Sequence, residues 1–298
     1  MSTSTYQPRH PAQSERLSVR GIDYHLMRWG RRGGRPLFLL HGWTDCAATF
    51  QFLVDKAPPD LLECDLIAPD WRGFGQSGWA SDGYWFPDYL ADLDAIIDAC
   101  SPAPVTLVGH SMGGMVAGLY AGIRPERVSH LVSLEGFGLQ ATPAGQAPSR
   151  YLRWLDELQN EIEHNTLADR SAVAGRLQRN NARLPESWAL WLADALVRDV
   201  SDGVQYRADP RHRRVNPVLY RLEEAKACWA AIRAKVLWLA GNETALLKWL
   251  QETPEQFAAR RAVIADLNYI ALPGCGHNLH HDAPAEVAAH IASFIDMV

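Results

Sequence analysis

An α/β fold built on a doubly wound, mostly parallel sheet is the class this sequence predicts, and three observations carry it. Short apolar runs alternate with helical patterns, most of those runs are continuously apolar and end at Gly or Pro, and one long interval lacks any strand pattern. Strands covered on both faces lose the polar alternation of a half-exposed strand, so unbroken Val/Ile/Leu runs point to a parallel sheet between helical layers.

In chain order, the predicted strands are "IDYHLMRW" (22–29), "PLFLLHG" (36–42), "CDLIAPD" (64–70), "PVTLVGH" (104–110), "VSHLVSLEG" (128–136), "KVLWLAG" (235–241) and "LNYIALPG" (267–274). Between and after them, "FPDYLADLDAIIDAC", "MGGMVAGLYAGI" and "APAEVAAHIASFIDMV" have helical spacing. In the last, Val287, Ile291 and Phe294 share one face, and Asp282 and Pro284 mark the entry. From about Leu139 to Ile232 no strand is evident. A Pro/Ala/Gly-rich loop, "LQATPAGQAPSR", leads into helix-like "YLRWLDELQNEIEH", with Leu152, Leu155, Leu158 and Ile162 on one side, and then "PESWALWLADALVR". The expected organisation is an α/β core of residues 1–138 and 233–298, with residues 139–232 inserted as a helical cap over one end of the sheet.

Composition narrows the function. A length of 298 residues with 47% hydrophobic and 21% charged residues is that of an ordinary globular chain with a sizeable core. The net charge of −5 gives no support for nucleic-acid binding, which favours basic surfaces. No run approaches the roughly eighteen apolar residues of a membrane span, and the first residues lack the apolar stretch of a secretory signal. Five scattered cysteines without CxxC spacing suit reduced thiols, so the expected location is the cytoplasm.

The strongest chemical signal is "VGHSMGG" (108–114). Gly109-His110-Ser111-Met112-Gly113 fits G-x-S-x-G between a strand and a helix. The nucleophile of such a motif sits on a sharp, strained turn, and a side chain at either glycine would collide with neighbouring backbone. The turn lifts the Ser111 hydroxyl above the sheet and aims a helix N-terminus at the reacting oxygen. In "LLHGWTD" (39–45), His41-Gly42 closes a strand and Trp43 begins a loop. The Trp43 and Met112 N–H groups are therefore the expected oxyanion donors. "LPGCGHNLHHDAP" (272–284) offers His277, His280 and His281. His277 follows the last strand directly and is the expected base. His280 and His281 enter the final helix and are expected to be structural or solvated. No carboxylate or thiol pattern supports a zinc site on the three, so no metal or organic cofactor is expected.

These segments, with "LIAPDWRGFGQS" and "VLWLAGNE", fall in the order of the α/β-hydrolase fold family, which the chain resembles over most of its length. Asp70, Arg72, Gly73 and Ser77 match a loop that is structural in that family. In many relatives the triad acid follows the strand after the lid, in a G-x-x-D pattern, but here the aspartate position holds Thr244 and Glu243 comes one residue early. The other candidate is Glu135, at the end of "HLVSL". A subset of the family, including some haloalkane dehalogenases and cofactor-free ring-opening dioxygenases, is similar in placing its acid there. A carboxylate ending a buried strand is costly unless paired or hydrogen-bonded. Glu135 is the expected acid and Glu243 the reserve.

The resemblance implies a serine hydrolase acting on a small-molecule ester of modest size with an apolar portion. Trp85, Trp154, Trp188, Trp191 and Trp229 are the aromatic candidates for its pocket, and "YRADPRHRRVNP" is expected to be a solvated basic face. A serine nucleophile excludes the aspartate-based dehalogenase and epoxide hydrolase reactions. A cofactor-free dioxygenase cleaving an N-heteroaromatic ring and a non-turnover small-molecule sensor are the rival readings. Oligomeric state leaves no mark in the sequence.

Overall fold

The structure is a computed structural model, and it describes residues 6–136, 138–160 and 162–296. The strands in chain order are β1 (Gln13–Val19), β2 (Ile22–Gly30), β3 (Pro36–Leu40), β4 (Asp65–Pro69), β5 (Val105–His110), β6 (Val128–Leu134), β7 (Thr166–Leu167), β8 (Val197–Val200), β9 (Gly203–Tyr206), β10 (Lys235–Gly241) and β11 (Leu267–Leu272). Eight of them form the main sheet in the order β1-β2-β4-β3-β5-β6-β10-β11. From β4 to β11 all pairings are parallel, while β1 and β2 join antiparallel at one edge. This is the doubly wound, mostly parallel α/β architecture that the apolar runs predict.

The continuous apolarity of the central strands has a direct packing cause. Alternate residues of one strand face opposite helical layers. Phe38 and Leu40 pack with Leu93, Ile96 and Val116, whereas Leu37 and Leu39 pack with Val287, Ile291 and Phe294. Both sets are buried, so neither face tolerates a polar residue.

Three local features depart from the sequence expectation. β1 was not predicted, because "QSERLSV" is a polar edge strand whose side chains are mostly exposed, and nothing in its composition distinguishes it from a loop. The interval 139–232 holds strands after all: β7, β9 and β8 form a small antiparallel sheet. β8 and β9 are four residues each around a Ser201-Asp202 turn, too short for alternation to register, and β8 takes the Val197-Arg198 pair expected to end a helix. The helix predicted from Tyr151 runs instead over Ala147–Leu158, so Ile162 lies outside it; Leu152, Leu155 and Leu158 are exposed. Glu161 of that prediction, Met297 and Val298 of the predicted final segment and the first five residues lie outside the described residues.

Residues of the interval pack onto the core through a third cluster, in which Leu192, Leu196 and Val173 meet Cys46, Ala48 and Phe52. Among the described residues, no helix is long and apolar enough to cross a membrane.

The sheet register sets the site. His110 pairs with Leu134, Leu134 with Leu239, and Gly241 with Leu272. The residues just beyond the C-terminal ends of β5, β6 and β11 therefore meet at one edge, where the crevices of parallel sheets open.

Candidate active site

Ser111 stands between β5 and the helix Met112–Ile123 with φ 50° and ψ −116°, a conformation an L-residue adopts only under constraint. The constraint comes from packing. A Cβ at Gly109 would lie 2.5 Å from the Gly113 carbonyl, and one at Gly113 would lie 2.1 Å from the Leu40 carbonyl oxygen. Nothing larger than hydrogen fits at either position, which is the physical content of the motif. Glu135 (φ 57°) lines the same cavity as Ser111. Two of the five non-glycine residues with positive φ among those described thus meet here, as backbone strain does at functional sites.

Glu135 follows β6 and is buried, 3% exposed. Its Oε1 accepts the Gly241 N–H at 2.9 Å, and its Oε2 accepts the Thr244 hydroxyl at 2.8 Å. The same Oε2 lies 3.5 Å from Nδ1 of His277, the outer limit of a hydrogen bond. Bonds of this kind are often long before substrate binds. Ser111, Glu135 and His277 line one cavity; among the described residues the Glu135–His277 contact is made, while Ser111 and His277 share no hydrogen bond. Glu243 points elsewhere: its carboxylate forms an ion pair with Arg183, and its side chain is half exposed. Thr244, at the position where many relatives carry aspartate, holds the Glu135 carboxylate instead.

Met112 is the first residue of its helix, so its N–H has no carbonyl four residues back within the helix. Among the described residues, the Trp43 amide donates to no acceptor. The Gly42–Trp43 backbone is pressed against the nucleophile, since a Cβ at Gly42 would come within 3.2 Å of the Ser111 Cβ.

Two histidines support this arrangement without any motif to announce them. His41 accepts the Trp71 N–H on Nε2 at 2.9 Å, so its proton sits on Nδ1 and is donated to the Gly42 carbonyl at 2.8 Å. Burial pushes its pKa down to about 4, in keeping with that neutral tautomer. His110 donates Nε2–H to the His277 carbonyl at 3.0 Å and so ties the β5 end to the loop carrying the base. His280 and His281 are buried, as expected of structural residues, and both contact the Thr49 hydroxyl.

Two cavities share Ser111, Met115 and Trp249. The larger, about 380 Å³, is walled by Trp43, Trp85, Phe86, Met112, Trp154 and Leu158, with Arg211, His212 and Arg214 at its polar side. The smaller, about 300 Å³, contains Glu135, Thr244 and His277. Of the predicted aromatic candidates, Trp85 and Trp154 line the larger cavity. Trp188 and Trp191 pack instead on Phe52 and Tyr6, and Trp229 is buried in the core. Trp43 and Trp249 are cavity residues that the sequence did not single out as such. The basic stretch is only partly a solvated face. Arg211 is engaged by Asp209 and by the Ala80 and Ser81 carbonyls, and His212 is stacked between Phe74 and Tyr84. Burial pushes the His212 pKa down to about 3, so the imidazole facing the cavity is neutral.

A family model described as the alpha/beta hydrolase fold matches residues 35–284. In sequence the chain is similar to a serine hydrolase-like protein of Danio rerio, at 27% identity over 98% of this chain and 91% of the relative. Serine hydrolase-like protein 2 of Homo sapiens is 25% identical over 90% of this chain and 88% of its own. Among solved structures, a hypothetical protein from Pseudomonas aeruginosa PAO1 superposes with a TM-score of 0.83 at 26% identity, covering 95% of this chain and 99% of that one. The thioesterase domain from the curacin biosynthetic pathway gives a TM-score of 0.84 at 24% identity with the same coverage, a likeness of fold.

Proposed function

Because the chain belongs to the α/β-hydrolase fold family, we propose that it is a serine hydrolase cleaving a small to medium, partly apolar carboxylic ester through an acyl-enzyme at Ser111. The observation that carries this reading is the position of Ser111, strained and at the junction of two cavities, one apolar and one holding the His277–Glu135 pair. His277 takes the Ser111 proton as the hydroxyl attacks the ester carbonyl. Glu135 keeps the His277 proton on Nδ1 and stabilises the imidazolium that forms. The Trp43 and Met112 N–H groups hold the tetrahedral oxyanion, each donor worth about 2.7–4 kcal/mol of barrier. Protonated His277 then hands its proton to the departing alcohol. Water repeats the attack on the acyl-enzyme with His277 again as base, releasing the acid and free Ser111.

Residues 139–232 serve in this reading as the cap. The Trp154 and Leu158 side chains, from the helix Ala147–Leu158, close the apolar cavity over the core. The acyl portion occupies the tryptophan-walled cavity, and the alcohol leaves by way of the smaller one. The substrate is a small molecule, and the cycle requires no cofactor.

A fluorophosphonate probe tests the nucleophile. The wild-type protein is expected to label with one adduct per chain, Ser111→Ala not at all, and His277→Ala at least about 10³-fold more slowly. Labelling retained in Ser111→Ala would remove the proposal. Pocket assignment is tested with nitrophenyl esters of increasing acyl length. Trp154→Ala is expected to raise KM for the longest accepted ester about tenfold while leaving the acetate within about twofold, since only the longer chain reaches that wall. Oxygen uptake with hydroxyquinolone substrates, in place of ester turnover, would instead select the dioxygenase reading.

A further inference from the structure

Behind the nucleophile lies a buried group of side chains that the ester cycle does not use. Ligating atoms of Asp45, His110 and His280 all lie within 4.8 Å of one another. The hydrogen-bond network fixes what each presents. The His277 carbonyl can only accept, so His110 is protonated on Nε2 and its Nδ1 carries a lone pair. Thr49 has one hydroxyl proton and two imidazole neighbours, Nε2 of His281 at 2.7 Å and Nε2 of His280 at 3.0 Å. With that proton given to the nearer ring, the hydroxyl accepts from His280. His280 is then also protonated on Nε2, and its Nδ1 carries a lone pair.

Nδ1 of His110 and Nδ1 of His280 are both buried and, among the described residues, have no hydrogen-bond partner. Their rings lie 4.3 Å apart, centroid to centroid. Two unpartnered imidazole lone pairs thus lie close to a carboxylate that already accepts the Cys46 N–H at 2.9 Å. Leaving the two nitrogens unmatched is costly, and a cation held between them and the carboxylate resolves both. We propose that Asp45, His110 and His280 form a binding site for a divalent transition-metal ion, of which Zn²⁺ is the best chemical match. Two neutral imidazole nitrogens and a carboxylate oxygen are a donor set suited to Zn²⁺, with a fourth position open to water. Zn–N bonds of about 2.0–2.1 Å place two ligands at most about 4.2 Å apart, so small ring rotations complete the geometry. Asp45 is only partly buried and adjoins exposed Thr44, which gives the ion a way in. The second nitrogens are already oriented, by the His277 carbonyl on one ring and the Thr49 hydroxyl on the other, as outer partners of metal-bound histidines are. The site lies outside the Ser111–His277–Glu135 set and supplies no step of hydrolysis. It ties the β5 end and the His277 loop to the loop after β3.

Equilibrium dialysis of the chelator-stripped full chain against Zn²⁺ tests the site. About one Zn²⁺ per chain is expected for the wild type. Asp45→Asn and His280→Gln, each shown to be folded by circular dichroism, are expected to bind about 100-fold more weakly. Co²⁺ in place of Zn²⁺ should give visible d–d bands without a thiolate charge-transfer band, which separates this site from one using Cys46 or Cys275. Three results would overturn it: no stoichiometric uptake, uptake unchanged in both variants, or a thiolate band. None of these bears on Ser111 labelling, so this site and the hydrolase reading fail separately.

Discussion

In the proposed ester hydrolysis, Glu135→Gln is expected to lower kcat by about 10⁴, whereas Glu243→Gln is expected to stay within about twofold of wild type. The contrast follows from the hydrogen bonds of the carboxylate. The Gly241 N–H must meet an acceptor, so the glutamine carbonyl takes the Oε1 position and the amide NH₂ falls at Oε2. That NH₂ then faces Nδ1 of His277, where a carboxylate oxygen stood 3.5 Å away. A donor opposite Nδ1 favours the tautomer protonated on Nε2, which cannot accept the Ser111 proton. Geometry survives and the proton has nowhere to go. Thr244 turns its hydroxyl and accepts from the same NH₂, so folding is little affected. Glu243 loses only a half-exposed ion pair with Arg183, an interaction worth about 0–1 kcal/mol. Steady-state kinetics on a nitrophenyl ester checks both variants. The reverse ranking would return the acid to the loop after β10.

Asp92→Ala has the largest expected effect on stability, a loss of about 3–5 kcal/mol. Asp92 is fully buried and receives Arg72 Nε at 2.5 Å and Nη2 at 2.6 Å, together with the Tyr24 hydroxyl and Arg20. Among the described residues, removing it leaves the buried Arg72 guanidinium with only the Asp88 carboxylate, 3.2 Å from Nη1, and deprives the Tyr24 hydroxyl of its acceptor. The penalty is that of an uncompensated buried charge rather than of a lost attraction. Urea unfolding should show a lower midpoint with an unchanged slope. A change below about 1 kcal/mol would show that Asp88 and water replace the lost partner.

The sheet was legible because its central strands are buried on both faces, and burial writes itself into sequence as unbroken apolar runs. β1 and the β8–β9 hairpin were not, since one is a polar edge and the others are shorter than a full alternation. At the site, each residue just past a parallel strand announces itself by position, which is why Ser111, Glu135 and His277 stand out. What position does not reveal is the direction of a side chain. Glu135 and Glu243 end neighbouring strands, yet only one turns towards His277, and the difference rests on the Gly241 N–H and the Thr244 hydroxyl. His41 and His110 carry no motif because their roles depend on which ring nitrogen holds a proton. That is decided by Trp71 and by the His277 carbonyl, both distant in sequence.

The contact between Thr244 and Glu135 means that two strand ends address one point in space. A negative charge delivered there from β6 or from the loop after β10 reaches the same imidazole. During divergence the acid can therefore migrate from one strand to its neighbour by paired substitutions, without rebuilding the scaffold.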